Sequence, residues 1–137
     1  MRLIQKLKVE SRKLKINMAR LSQELRDRCK RFSSSVIRLY VALPKQREEV
    51  CVIGKQLLRA GTSVAAHSRE ASRARSTSEF CSKLGGLLQE ADESQLWLEH
   101  LHEDCFIANP NIQKIHAETN ELISIFSTII KKTKTES

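Results

Sequence analysis

Aromatic side chains are scarce in this chain of 137 residues, which has 4 Phe, 1 Trp and 1 Tyr. Glycine (4) and proline (2) are almost as rare. Sheets draw on aromatic and β-branched residues and hairpins on turn formers, so this diet excludes a β-rich fold with many corners. No run approaches the roughly 18 consecutive apolar residues that suggest a membrane span. The N-terminus also lacks the continuous apolar stretch of a secretory signal. Cys29, Cys51, Cys81 and Cys105 lie 22, 30 and 24 residues apart, with no Cys-x-x-Cys pair. Such spacing does not suit a zinc framework and reads as four reduced thiols filling space in a cytoplasmic protein.

Catalytic signatures are missing as well. The chain has no Gly-x-Ser-x-Gly elbow, Walker loop or Gly-rich dinucleotide turn. Glu99-His100-Leu101-His102 contains a formal Glu-x-x-His. A ferritin-like dimetal centre needs two such motifs plus two more inward carboxylates, and Glu70 and Glu118 have no His at +3. His100 and His102 are two apart and so cannot share a helix face. His67 falls on an apolar seam, and Ser33-Ser34-Ser35 is a polar patch without a partner base. The sequence thus predicts a protein that is not an enzyme, with no metal, cofactor or small-molecule substrate.

What is present is helical periodicity in a chain that is 40% hydrophobic and long enough for one cored domain. Spacings of 3 and 4 link Leu25, Cys29, Phe32, Val36, Leu39 and Leu43, and a helix is expected over Gln23 to Ala42. Leu43-Pro44 breaks it, because a residue before proline is pushed out of helical geometry. The central helix, starting near Arg47, has three faces. Its seam is Val50, Ile53, Leu57, Ala60, Val64, His67, Ala71 and Ala74. A ridge of mostly small residues, Gly54, Leu58, Gly61, Ala65, Ser68 and Ser72, invites another backbone to come close. A third stripe carries Lys55, Arg59, Arg69 and Arg73, with Arg75 just beyond.

Ser76 and Glu79 have the spacing of a capping box and open a third helix over Thr77 to Asp104. Its seam is Phe80, Leu84, Leu87, Ala91, Ser94, Leu98 and Leu101, with Gly85-Gly86 marking a close crossing and Trp97 one step off the seam. Asn109 and Pro110 suit the N-cap and first position of a fourth helix. Ile112, Ile115, Thr119, Leu122, Phe126 and Ile129 form its seam, and Ile123, Ile125 and Ile130 widen the apolar arc beyond the roughly 100° that a surface helix needs. The tail KKTKTES reads as polar and loose.

These elements predict an all-α, antiparallel up-down-up-down four-helix bundle over residues 23–134, preceded by a basic N-terminal helical extension over 1–22. Surplus apolar and small surface assigns Gly54, Leu58, Gly61, Ala65, Ile123, Phe126 and Ile130 to contacts between subunits, and Trp97 either joins them or packs at the edge of the core. The net charge of +8 is concentrated at the front, where residues 1–31 hold 11 Lys/Arg against 3 Asp/Glu. In the extension, Lys6, Lys8, Arg12, Lys13 and Lys15 flank an apolar rhythm that leads on into the first bundle helix. Three uses of this segment stay open: a solvated extension, an RNA-binding arm, or a docking surface for a partner or membrane. In contrast, residues 79–104 carry 7 acids and 1 Lys.

The stretch QLLRAGTSVAAHSREASRARSTSEFCSKLGGLLQEADESQLWLEHL (Gln56 to Leu101) and the upstream RDRCKRFSSSVIRLYVALPK (Arg26 to Lys45) resemble the four-helix-bundle family encoded in intervening sequences of bacterial 23S rRNA genes, once labelled ribosomal proteins. The accessory variability determinant of diversity-generating retroelements is similar at a greater distance. The resemblance is close over Leu25 to Leu101 and loose in the last helix. It implies a homopentameric bundle, with RNA and a reverse transcriptase as possible partners. Arg59, Arg69 and Arg73 fall on basic positions of the family pattern.

Two functions compete. In the first, a guanidinium-rich strip of Lys55, Arg59, Arg69, Arg73 and Arg75, aided by the N-terminal cations, binds RNA or another nucleic acid electrostatically and without a membrane. With almost no aromatic platforms, such binding would tolerate any sequence. In the second, the protein is an adaptor that binds no nucleic acid, and the same arginines pair with Glu90, Asp92, Glu93 or Glu99 of the third helix in this or a neighbouring subunit.

Overall fold

The computed structural model describes residues 2–5 and 21–136. Among the described residues, four long helices follow one another: α1 (Gln23–Ala42), α2 (Glu48–Ser72), α3 (Thr77–Glu103) and α4 (Pro110–Glu136). Each packs on its neighbour in sequence, and α4 returns to α1. With corners only at 43–47, 73–76 and 104–109, successive helices must reverse direction, and the result is the up-down-up-down ring. The α2–α3 contact is the most extensive and the α1–α4 contact the thinnest.

The helix ends follow local chemistry. Ser22 is extended (φ −62°, ψ 154°), and its side chain accepts from the Leu25 N–H, which caps the start of α1. Leu43 is extended (φ −71°, ψ 143°), as the following proline requires. Lys45 then folds back over the Tyr40 ring and donates to the carbonyls of Tyr40 and Leu43, offsetting the negative end of α1. At α3, Ser76 Oγ accepts from the Glu79 N–H at 3.0 Å, while the Glu79 carboxylate reaches back to the Arg75 N–H at 3.4 Å, one residue earlier than a standard capping box. Asn109 Oδ1 accepts from the Asn111 N–H at 2.9 Å and opens α4.

The seams define the core. Cys29, Phe32, Val36 and Leu39 of α1 meet Val50, Leu57, Ala60 and Val64 of α2, and every seam residue of α3 from Phe80 to Leu101 is buried. Leu25, Ile53, Ala74 and Ile129 pack on the core from its edge. Buried hydroxyls are satisfied locally: Ser68, Ser94, Thr119 and Thr133 each donate to a carbonyl three or four residues back in the same helix. Burial pushes the Cys29 thiol up to about 12, so it stays protonated and acts as a small hydrophobe. All four cysteines are free.

Several expectations change. Gly54 and Gly61 do not face another subunit, because they are where α1 crosses α2. A Cβ on Gly61 would lie 2.7 Å from Val36 Cγ1, and one on Gly54 would lie 2.9 Å from Leu43 Cδ1. Ser33 Oγ crosses the same contact and donates to the Gly61 carbonyl at 2.7 Å. Phe126 is likewise fully buried within the protomer, which takes it out of any subunit contact. Leu58, Ala65, Trp97, Ile123 and Ile130 remain half-buried. Of the Gly85-Gly86 pair, only Gly86 marks a close approach, with the His67 ring 3.1 Å from where its Cβ would stand; Gly85 faces open space. Nor is the tail loose: α4 runs to Glu136 because Thr133 keeps the seam register one turn past Ile129 and is buried.

The two kinds of glycine separate in stability. Gly85→Ala should raise the chemical denaturation midpoint, gaining about 0.5–1 kcal/mol of helix propensity with nothing to collide with. Gly61→Ala should lower the midpoint, because overpacking against the branched Val36 costs about 1–3 kcal/mol, more than the propensity gained.

Candidate nucleic-acid interface

The outer face of α2 carries Lys55, Arg59, Arg69 and Arg73, all exposed, and Arg75 is exposed in the corner that follows. Their settings differ. Arg59 leans towards α3, where one guanidinium nitrogen lies 3.2 Å from Glu90 Oε2 and the other 2.8 Å from Glu93 Oε2. Glu90 and Glu93 are spaced i, i+3 and so lie on one side of α3, where together they clasp a single guanidinium. The hydrogen bond that Arg59 donates to Glu93 and the charge of Glu90 raise the Arg59 pKa. Its charge is thus largely answered inside the protomer.

The side chains of Lys55, Arg69, Arg73 and Arg75 make no ion pair or hydrogen bond among the described residues. Arg69 lies in the last turn of α2 and Arg73 is its C-cap. Cations there are favoured by the negative end of the helix by about 0.3–1 kcal/mol, which explains their position without using up their charge. Glu70 turns the other way, to Lys83 of α3 at 3.2 Å, and this contact holds its carboxyl below the ordinary range. Asp92 is exposed and Glu99 is engaged elsewhere, so the acids of α3 claim only Arg59 from the strip.

The other charged pairs fasten helices together. Arg28 of α1 grips Glu118 of α4 with two nitrogens, at 2.7 and 2.9 Å. His116 of α4 meets Glu99 of α3 at 2.9 Å, and His102 meets Gln113 at 3.3 Å. Glu99 and His102 therefore look to different partners. Among the described residues no group of three His, Cys, Asp or Glu side chains could hold a metal ion. His67 lies against Gly86, with its Nδ1 3.4 Å from Glu70. Sequence reasoning passed over the Arg28–Glu118 and Glu99–His116 pairs, since each joins separate helices and depends on their relative register. Lys6, Lys8, Arg12, Lys13 and Lys15 lie outside the described residues. No helix among the described residues is long and apolar enough to cross a membrane.

Residues 21–128 match a protein family described as 23S rRNA-intervening sequence protein. Among solved structures, the chain resembles the crystal structure of a protein of unknown function from the S23 ribosomal protein family of Bacteroides thetaiotaomicron. The two are 34% identical with a TM-score of 0.71, over 77% of this chain and 97% of that one. A search of curated proteins finds no match.

The contrast between answered and free guanidinium groups is open to chemical measurement. Under limiting arginine-specific dicarbonyl labelling read by mass spectrometry, Arg69 and Arg73 should be modified before Arg59. Glu90→Gln with Glu93→Gln should bring Arg59 to the same rate while changing stability by less than about 1 kcal/mol, as expected for exposed pairs.

Proposed function

The chain belongs to the 23S rRNA-intervening sequence protein family, and from that premise we propose that it is a non-catalytic, homo-oligomeric scaffold of the cytoplasm that binds RNA through its charge. The observation that carries this reading is the set of unpaired cations on α2 and its corner: Lys55, Arg69, Arg73 and Arg75. An exposed cation without a protein partner is free to displace counterions from a phosphate backbone, and several together give salt-sensitive, sequence-tolerant affinity. Self-association would repeat this strip and multiply a weak site. Ile37 and Val41, one turn apart on α1 and 44% and 73% exposed, support such a contact, as do half-buried Leu58 and Ala65. A pentamer, and a reverse transcriptase as protein partner, follow from the sequence resemblance and form the finer part of the proposal.

A second reading, the adaptor that binds no nucleic acid, is favoured by one observation: Arg59 is held by Glu90 and Glu93, as an arginine devoted to protein contacts would be.

Light scattering and RNA binding separate the two. The scaffold should elute as an oligomer and bind single-stranded RNA at low salt. If the four free cations each meet a phosphate, log affinity should fall with log salt at a slope of about −3. Arg69→Glu with Arg73→Glu, or deletion of residues 1–20, should weaken binding and flatten that slope. An oligomer with no RNA affinity at low salt would instead establish the adaptor.

A further inference from the structure

The thin α1–α4 contact leaves a groove of about 310 Å³ where the last turns of α1 run beside the first turns of α4. Arg31 and Arg38 of α1 and Lys114 of α4 line it. All three are exposed and make no side-chain ion pair or hydrogen bond among the described residues. Glu118 is the one acid among the described residues of the lining, and both its oxygens are taken by Arg28 at 2.7 and 2.9 Å. The groove is therefore a cationic concavity whose own carboxylate has already been neutralised from behind.

The backbone adds to this. The positive, N-terminal end of α4 opens at the groove, while Lys45 sits on the Tyr40 and Leu43 carbonyls at the end of α1 and offsets its negative pole. Asn109 uses its side-chain oxygen on the Asn111 N–H, which leaves its amide N–H groups as donors. Ser35 spends its proton on the Arg31 carbonyl at 3.0 Å, so its oxygen can only accept, as a hydroxyl-bearing ligand would require. The floor is apolar but nearly closed: Phe32 is 3% exposed and offers no face for a base to stack on. Donors and cations for phosphate, an acceptor for a hydroxyl and no stacking platform together describe a ribose-phosphate backbone.

We propose that the α1–α4 groove, through Arg31, Arg38 and Lys114, is a second binding site for the ribose-phosphate backbone of an RNA strand. This rests on the RNA reading above and assigns that RNA an additional surface. Arg31 and Arg38 are seven residues apart, about 10 Å along one side of α1, so they reach different phosphates of the same strand.

The test uses the full chain and a fluorescent single-stranded RNA oligonucleotide, with binding read by anisotropy across a salt series. Arg31→Glu with Arg38→Glu should weaken binding by tenfold or more and reduce the salt slope by about 1–2, one phosphate contact being lost at each position. In the unaltered protein, RNA should protect Lys114 from amine acetylation, a footprint that decides the matter even if the double variant misfolds. The groove proposal is overturned alone if the unaltered protein binds RNA, the groove variant matches it, Lys114 stays equally reactive, and Arg69→Glu with Arg73→Glu still weakens binding. It falls together with the RNA reading if the unaltered protein binds no RNA at low salt.

Discussion

The close crossing of α1 over α2 at Gly61 is the constraint on which the rest of the molecule depends. Val36 occupies the space where a side chain would otherwise stand, and Ser33 ties its hydroxyl to the Gly61 carbonyl across the gap. Interiors pack to crystal-like density, so the position of these two helices sets where everything beyond them can go. With α1 drawn tightly against α2, and α2 sharing its longest interface with α3, the fourth helix closes the ring against α1 by a slighter contact. Arg28 and Glu118 span that closing edge, and the groove beside them is what the uneven packing leaves behind.

Charge is distributed by the same geometry. The α2–α3 interface brings Glu90 and Glu93 within reach of Arg59 and Lys83 within reach of Glu70. Arg69 and Arg73 stand at the end of α2, where the helix dipole favours them and no carboxylate competes for them among the described residues. Exposed pairs of this kind stabilise the fold by at most about 1 kcal/mol each. Their larger effect is on availability, since they decide which cations stay free for a polyanion.

Much of the architecture was legible from spacing alone. The end of α1, the start of α3 and the first residue of α4 were each readable from a cap or a proline, and the α3 seam was correct at every position from Phe80 to Leu101. The errors share a cause. Gly54, Gly61 and Phe126 read as subunit surface in the sequence but lie inside the protomer, because sequence shows that a surface must be covered without showing what covers it. Gly85 and Gly86 are adjacent and chemically identical, yet only Gly86 meets a neighbour, His67. The tail looked polar, but Thr133 returns to the seam after Ile129 and keeps the helix docked.

The sequence by itself determined the order, the corners and most of the inward faces of the bundle helices, because periodicity, caps and proline stops act within a few residues of one another. Only the tertiary structure decided which arginine of the α2 strip is answered and which cations of α1 and α4 share a groove. Those outcomes depend on the register between helices far apart in the chain, and a carboxylate two ångströms nearer or farther makes the difference between a closed ion pair and an open site.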